Sequence, residues 1–233
     1  VLGIETKDFK NDLQPRINDF SNIPSPYLTN LVWDLVERRP GYQWIAAWET
    51  LRGCPYFCTF CDWGSAIGTK MRKFEEEKIM QEIEWFGKNK IPYIDLCDAN
   101  FGIYQERDLK IAKKLNSVSK EMNYPKTVRP TFAKFSSEKI IPIAKELYDT
   151  GLLRAVTLSL QSLDDTTLKI TKRENIKFDE FSELTDSFRK AGLPTYTEII
   201  RGLPGETLES FKEALEVIVS DTKVDHLQIH NCG

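Results

Sequence analysis

Six apolar, β-rich runs recur along the chain after residue 42. They cover residues 43–49, 92–98, 126–132, 153–161, 194–200 and 224–231. Between them lie segments whose apolar side chains repeat at helical spacing, as Ile79, Ile83 and Phe86 do in 74–87. Strands that alternate with helices predict βαβ units and a parallel sheet.

The number of predicted strands decides the fold class. Further helices are predicted over 106–122, 138–150, 164–191 and 207–220, with a short helix within 27–38. Six strands are too few for a closed eight-stranded barrel, so the pattern predicts a partial (β/α)6 TIM-like barrel of parallel strands. In barrel folds the chemistry lies at the C-terminal ends of the strands, and we expect the functional residues there.

The first 42 residues differ from the rest of the chain. Their turn-forming residues are Pro15, Pro24, Pro26, Pro40 and Gly41. We therefore predict an N-terminal linker or lead-in over 1–42, followed by one core domain over 43–233. The chain begins at Val1 rather than Met and ends directly after a predicted strand, so we expect it to be a piece of a longer protein.

Charge and hydropathy narrow the function classes. The net charge of -3 over 233 residues gives no basic surplus of the kind that nucleic-acid binders carry. No apolar run reaches the roughly 20 residues that a membrane-spanning helix needs, and the N-terminus has no signal-peptide pattern. We expect a cytoplasmic protein with neither a nucleic-acid partner nor a membrane partner.

Three of the five cysteines stand within eight residues. Cys54, Cys58 and Cys61 form a C-x3-C-x2-C motif after the first strand, whereas Cys97 and Cys232 stand alone. An odd, clustered set argues against a disulfide framework. Thiolates select zinc, copper(I) or iron–sulfur clusters. Structural zinc takes four ligands, whereas three thiolates on a four-iron cluster leave one iron open, although a zinc knuckle or incidental thiols remain alternatives.

The cysteine motif, with Phe60 directly before its last cysteine, resembles the signature of the radical S-adenosylmethionine (SAM) superfamily. The resemblance implies a [4Fe-4S] cluster on Cys54, Cys58 and Cys61, whose open iron binds the amino and carboxylate groups of SAM. It also implies an enzyme that cleaves SAM reductively to a 5′-deoxyadenosyl radical, which abstracts hydrogen from a substrate. The expected partners are a small-molecule or peptide substrate and an electron donor such as flavodoxin or ferredoxin.

Two later strand ends carry candidate SAM contacts. Asp98 and Asn100 stand in Asp-Ala-Asn-Phe, where the family places the loop that takes the SAM amino group. A polar turn is the alternative. Ser159 and Gln161 face the barrel interior by strand alternation, and the family often has Gln-Ser here with a later arginine, which Arg173 matches loosely. A hydrogen-bonded polar core is the alternative for this pair.

The last two strands supply the remaining candidates. Glu198 is expected to face the interior. Arg201 ends the strand, and Gly202 opens a Gly-Leu-Pro-Gly-Glu run that resembles the family's segment near the adenine and methionine of SAM. His230 is expected to contact SAM or the substrate, with polar barrel lining as the alternative. The third strand contributes Arg129 and Lys134. Their charges could contact a carboxylate of SAM or of the substrate, and a solvated charge is the alternative.

The resemblance extends from about residue 20 to residue 233 and is most similar to the cobalamin-dependent branch of the family. It rests on residues 20–36, on Cys61-Asp62-Trp63-Gly64 and on the run 196–200. That branch implies cobalamin, bound through a region absent from this chain, and methyl transfer in the full-length protein. The cobalamin motif Asp-x-His-x-x-Gly does not occur in the sequence.

Rival interpretations come from other function classes. One is a non-catalytic module that binds a metal or an iron–sulfur cluster for structure or for electron transfer. Another is a radical SAM domain that serves as a scaffold without turnover. The sequence does not specify the substrate, because family resemblance does not transfer substrate choice.

Overall fold

A computed structural model of the chain describes residues 7, 17, 19–37, 39–61, 63, 68–133 and 137–232. Its strands are β1 (Ile45–Trp48), β2 (Leu51–Arg52), β3 (Arg72–Lys73), β4 (Tyr93–Phe101), β5 (Thr127–Phe132), β6 (Val156–Thr157), β7 (Thr195–Arg201) and β8 (His226–Asn231). β2 and β3 form a short antiparallel hairpin that the hydrophobic pattern did not predict. Asp62, Gly64 and Lys134 lie outside the described residues.

The six remaining strands form two three-stranded parallel sheets. Their orders are β1-β4-β5 and β6-β7-β8. Every neighbouring pair within them is parallel, which confirms the predicted partial barrel. β8 lies at an outer edge of its sheet and is mostly exposed.

Seven α-helices are described. They are α1 (Leu31–Leu35), α2 (Glu76–Lys88), α3 (Gln105–Met122), α4 (Ile141–Tyr148), α5 (Asp165–Ile170), α6 (Phe178–Lys190) and α7 (Leu208–Asp221). Side-chain caps begin two of them: Asp164 accepts from the Thr167 amide, and Thr207 accepts from the Ser210 amide. In this part of the chain no helix has the length and apolarity to cross a membrane.

The helix predicted over 164–191 is divided in two by residues 171–177. Two side chains of this segment bond to the backbone between β6 and α5. Arg173 donates to the Ser159 carbonyl at 2.6 Å, and Asn175 donates to the Leu160 and Ser162 carbonyls at 2.8 Å each. The prediction of one continuous helix was wrong because helical periodicity does not show these contacts with the segment that follows β6.

The hydrophobic core lies between the sheets and the helices. In β4, side chains alternate between half-buried residues on the barrel side and fully buried ones, such as Ile94 and Leu96, on the helix side. Ile83 and Phe86 of α2 and Ile111 of α3 are fully buried in the same cluster. The β4–β5 register is irregular between Leu96 and Phe101, where the strands approach the predicted site.

An aromatic cluster attaches the segment before β1 to the core. Trp33 stacks on Trp85 at 5.6 Å between ring centroids and donates its indole N–H to Asn89. Tyr27 packs edge-on against Phe86, and its hydroxyl donates to a β1 carbonyl. Aromatic packing therefore extends beyond the predicted start of the core at residue 43; the boundary itself stays a prediction.

Replacing Trp33 by Ala should lower the free energy of unfolding by about 2–3 kcal/mol, because the stacked ring and its hydrogen bond are both lost. Leu35→Ala, on the same helix but 74% exposed, should change it by no more than about 0.5 kcal/mol. Chemical denaturation of both variants measures the difference. Equal effects would contradict the packing role of the segment.

Candidate active site

The cysteine loop leaves the sheet through the β2–β3 hairpin. Gly53 begins it with a φ of +109°, and a Cβ at this position would lie 2.5 Å from the Lys70 carbonyl oxygen. The carbonyl of Cys54 accepts from the Thr69 amide at 2.9 Å, and the Thr59 amide donates to the Thr171 carbonyl at 2.9 Å. The loop is thus held by backbone contacts on both of its sides.

All three motif cysteines line one cavity of about 210 Å³ at the C-terminal ends of the strands, here named the cysteine cavity. Its other lining residues come from the loop itself and from β4, β5, β7 and the segments after β6. They are Tyr56, Phe60, Trp63, Ala99, Asn100, Thr131, Phe132, Ala133, Ser159, Gln161, Arg173 and Glu198. A larger polar groove between α3 and α4 contains no cysteine.

Polar groups contact two of the thiols. Asn100 Nδ2 lies 3.4 Å from Cys54 Sγ, and Arg173 Nη1 lies 3.9 Å from Cys58 Sγ. Burial lowers the pKa of Arg173, and the nearby Cys58 acts in the opposite direction. Burial raises the pKa of Cys61. A guanidinium beside a thiol favours the thiolate, which is the form that binds metals.

The opposite wall of the cavity carries a hydrogen-bonded acid. Ser159 Oγ donates to Glu198 Oε2 at 2.6 Å. The backbone N–H of Gln161 donates to the backbone carbonyl of Glu198 at 2.7 Å. Gln161 adopts a φ of +67°, which is uncommon for a residue with a side chain. His230 Nε2 lies 3.7 Å from Glu198 Oε1, so this histidine reaches the acid from the edge strand.

Four residues predicted to contact a cofactor do not line the cavity among the described residues. Asp98 is fully buried on the helix side of β4 and bonds to Thr50 and Leu51. Gly202 donates its amide to Glu206, the exposed Arg201 accepts from the Cys232 amide, and His230 stays at the rim. The eight other predicted residues, including the three cysteines, do line it.

Sequence reasoning missed several lining residues. Tyr56 and Trp63 belong to the cysteine motif, and their aromatic character was a usable signal. Thr131 and Ala133 come from the end of β5, where small residues gave no signal. Arg129, the further candidate for a carboxylate contact, instead pairs with Asp95 at 2.7 Å and does not line the cysteine cavity.

The residues present fit a cluster better than a single ion. Three thiols share one cavity with an amide and a guanidinium beside them. Over the described ranges, no group of three or more His, Cys, Asp or Glu side chains is arranged to hold one metal ion. A cubane cluster binds each thiolate to a different iron, so its ligands need not converge on one point.

Comparison with known proteins identifies the family. The sequence profile of the radical SAM superfamily matches residues 48–218, which include the cysteine loop and the strands around the cavity. The chain belongs to the radical SAM superfamily. Radical SAM proteins use a [4Fe-4S] cluster and SAM, so the expected enzyme class and these two cofactors are confirmed at the level of the family.

Two curated relatives of this radical SAM chain are methyltransferases. It is 41% identical over 221 residues to the cobalamin-dependent radical SAM methyltransferase TokK of Streptomyces tokunonensis, covering 94% of the chain and 32% of TokK. It is 38% identical over 212 residues to the 2-(S-pantetheinyl)-carbapenam-3-carboxylate methyltransferase of Streptantibioticus cattleyicolor, covering 90% of the chain and 31% of the relative. The chain spans about a third of the length of each relative.

Solved structures share the fold of the radical SAM core. The methyltransferase TsrM of Kitasatospora setae, with tryptophan and a SAM analogue bound, has a TM-score of 0.63 at 18% identity. The likeness covers 83% of this chain and 39% of TsrM. The coproporphyrinogen III oxidase HemN of Escherichia coli has a TM-score of 0.56 at 16% identity, over 88% of this chain and 47% of HemN.

Replacing Gly53 by Ala should displace the cysteine loop, because the added Cβ meets a backbone oxygen as well as an unfavourable φ. We expect a loss of bound iron after anaerobic reconstitution and a stability cost of at least about 1–3 kcal/mol. Gly41→Ala is the matched control, because Gly41 has a φ of +84° with open space around its Cβ position. Full iron binding by Gly53→Ala would contradict this account of the loop.

Proposed function

We propose that the full-length protein is a cobalamin-dependent radical SAM methyltransferase that acts on an unactivated carbon of a small molecule. The observation that carries the proposal is the 41% and 38% identity to two methyltransferases across at least 90% of the chain. One of these relatives is named for a carbapenam carboxylate, so a bicyclic carboxylate of that kind is the first substrate class to test.

The cysteine cavity contains the residues that would hold the two family cofactors. Cys54, Cys58 and Cys61 would bind the cluster. When bound, the cluster supplies an electron for SAM cleavage, and cobalamin in the rest of the protein carries a methyl group. The protein's own contribution is to orient these groups and exclude water.

Polar side chains on the walls of the cavity suit the charged and hydroxyl groups of SAM. Arg173 is a half-buried cation with the complementary charge for a carboxylate. Glu198 and Ser159 offer an acceptor and a hydroxyl on the opposite wall, and Gln161 adds an amide. Phe60 and Tyr56 provide flat apolar surface beside the cysteines. Asn100 sits at the thiol of Cys54 and would hydrogen-bond a thiolate there.

We also infer that a one-electron carrier of the flavodoxin or ferredoxin type reduces the cluster in a cytoplasmic setting. Exposed apolar surface on the cysteine loop supports docking of a carrier protein, since Phe57 is 62% exposed next to a cavity-lining cysteine. The five free cysteines support the cytoplasmic setting, because thiols persist in reducing compartments.

The test uses full-length protein, reconstituted anaerobically with iron, sulfide and cobalamin and supplied with dithionite and methyl-labelled SAM. The probe substrate is 2-(S-pantetheinyl)-carbapenam-3-carboxylate. We expect 5′-deoxyadenosine, S-adenosylhomocysteine and labelled substrate, all reduced to background in Cys58→Ala because one cluster ligand is gone.

Cys232→Ala is the matched control, because this cysteine is exposed beyond β8 and does not line the cavity. It should retain wild-type product formation. 5′-Deoxyadenosine without S-adenosylhomocysteine would refute methyl transfer. A bound cluster with neither product would favour a scaffold or an electron-transfer module.

A further inference from the structure

We infer that Asp98 is a positioning residue, which with Arg107 fixes the root of the cysteine loop from behind the cavity. The inference rests on the proposed function in so far as the loop binds a cluster. Asp98 has no exposed surface and faces the helices rather than the cysteine cavity. Its carboxylate therefore acts on the site through other residues.

Three donors from the root of the loop converge on Asp98. Its Oδ1 accepts from the Thr50 amide at 2.6 Å and from the Leu51 amide at 2.9 Å. Its Oδ2 accepts from the Thr50 hydroxyl at 2.5 Å. Thr50 lies between the end of β1 and the start of β2, four residues before the first cluster ligand, Cys54. The carboxylate thus fixes the direction in which the chain leaves the sheet.

Arg107 binds the other side of the same peptide unit. Its Nη2 donates to the Thr50 carbonyl at 2.5 Å, and its Nη1 pairs with Asp108 Oδ1 at 2.5 Å. Asp108 Oδ2 in turn accepts from the amides of Gly102 and Tyr104 at the start of α3. The polar groups of Thr50 are therefore tied both to the end of β4 and to the start of α3.

The same strand end also touches the loop inside the cavity. Asn100, two residues after Asp98, places its amide 3.4 Å from Cys54 Sγ. The end of β4 therefore holds the loop at two points, at its root through Asp98 and at its first thiol through Asn100. Desolvating two carboxylates and a guanidinium is costly, and the cost is offset here because each of them bonds to backbone groups and Arg107 also pairs with Asp108.

A second buried carboxylate in the chain serves as the control for a purely structural role. Glu82 of α2 is also buried, and its Oε2 accepts from the indole N–H of Trp48 at 2.7 Å. It lies in the core and outside the cysteine cavity. Glu82→Gln should lower the thermal midpoint without weakening the hold on the cluster.

The experiment measures cluster binding directly in the full-length reconstituted protein. Iron and sulfide content, the rate of cluster loss to an iron chelator, and the electron paramagnetic resonance of the reduced cluster are compared in Asp98→Asn, Arg107→Met and Glu82→Gln. We expect Asp98→Asn to lose its cluster to the chelator about 10-fold faster, as metal sites do when an outer partner is removed. The Asn amide would also face three donors with a donor of its own.

Two conservative substitutions at Thr50 distinguish the contribution of its hydroxyl from a general effect on folding. Thr50→Ser keeps the donor to Asp98 and should match the wild type, whereas Thr50→Val should accelerate cluster loss. Cluster loss in Asp98→Asn that matches Glu82→Gln, or that equals the wild type, would overturn the inference. A wild-type protein that holds a cluster but transfers no methyl group would count against the proposed function and leave the inference standing.

Discussion

Three thiols must share one wall of a small cavity while a further coordination position stays open to a cosubstrate. A loop of eight residues cannot meet this demand alone, because its backbone has too much conformational freedom. The chain meets it by anchoring the loop at its root, at Gly53 and at the Thr171 carbonyl. The order of the strands and the break between α5 and α6 both serve that anchoring.

The break between α5 and α6 shows how the second half of the barrel contributes. Arg173 lies between the two helices, donates to the Ser159 carbonyl in the segment after β6, and contacts Cys58 Sγ. One side chain therefore connects the segment after β6 to the cysteine loop, although the two are about a hundred residues apart in sequence. The polar wall around Glu198 completes the cavity from the neighbouring strand.

The sequence predicted the architecture well, because the alternation of apolar runs and helical periods is a local property. It also predicted the three cysteines and most of the polar lining. It could not separate Asp98 from Asn100: the two share strand parity, yet the irregular register at the end of β4 places only Asn100 in the cavity. Arg201, Gly202 and His230 lie near the exposed edge strand, where a one-dimensional pattern does not show how far the cavity extends.

At the end of β4, support of the cysteine loop and lining of the cavity fall to different residues. The helix side of β4 holds Asp98, which supports the loop, while Ala99 faces the cavity with a small side chain. Thr131 on β5 and Ala133 directly after it are similarly small and take no part in the anchoring bonds described. Mutations at these small positions can therefore reshape what the cavity accepts while the cofactor's foundation remains intact, which gives the scaffold room to diversify its chemistry.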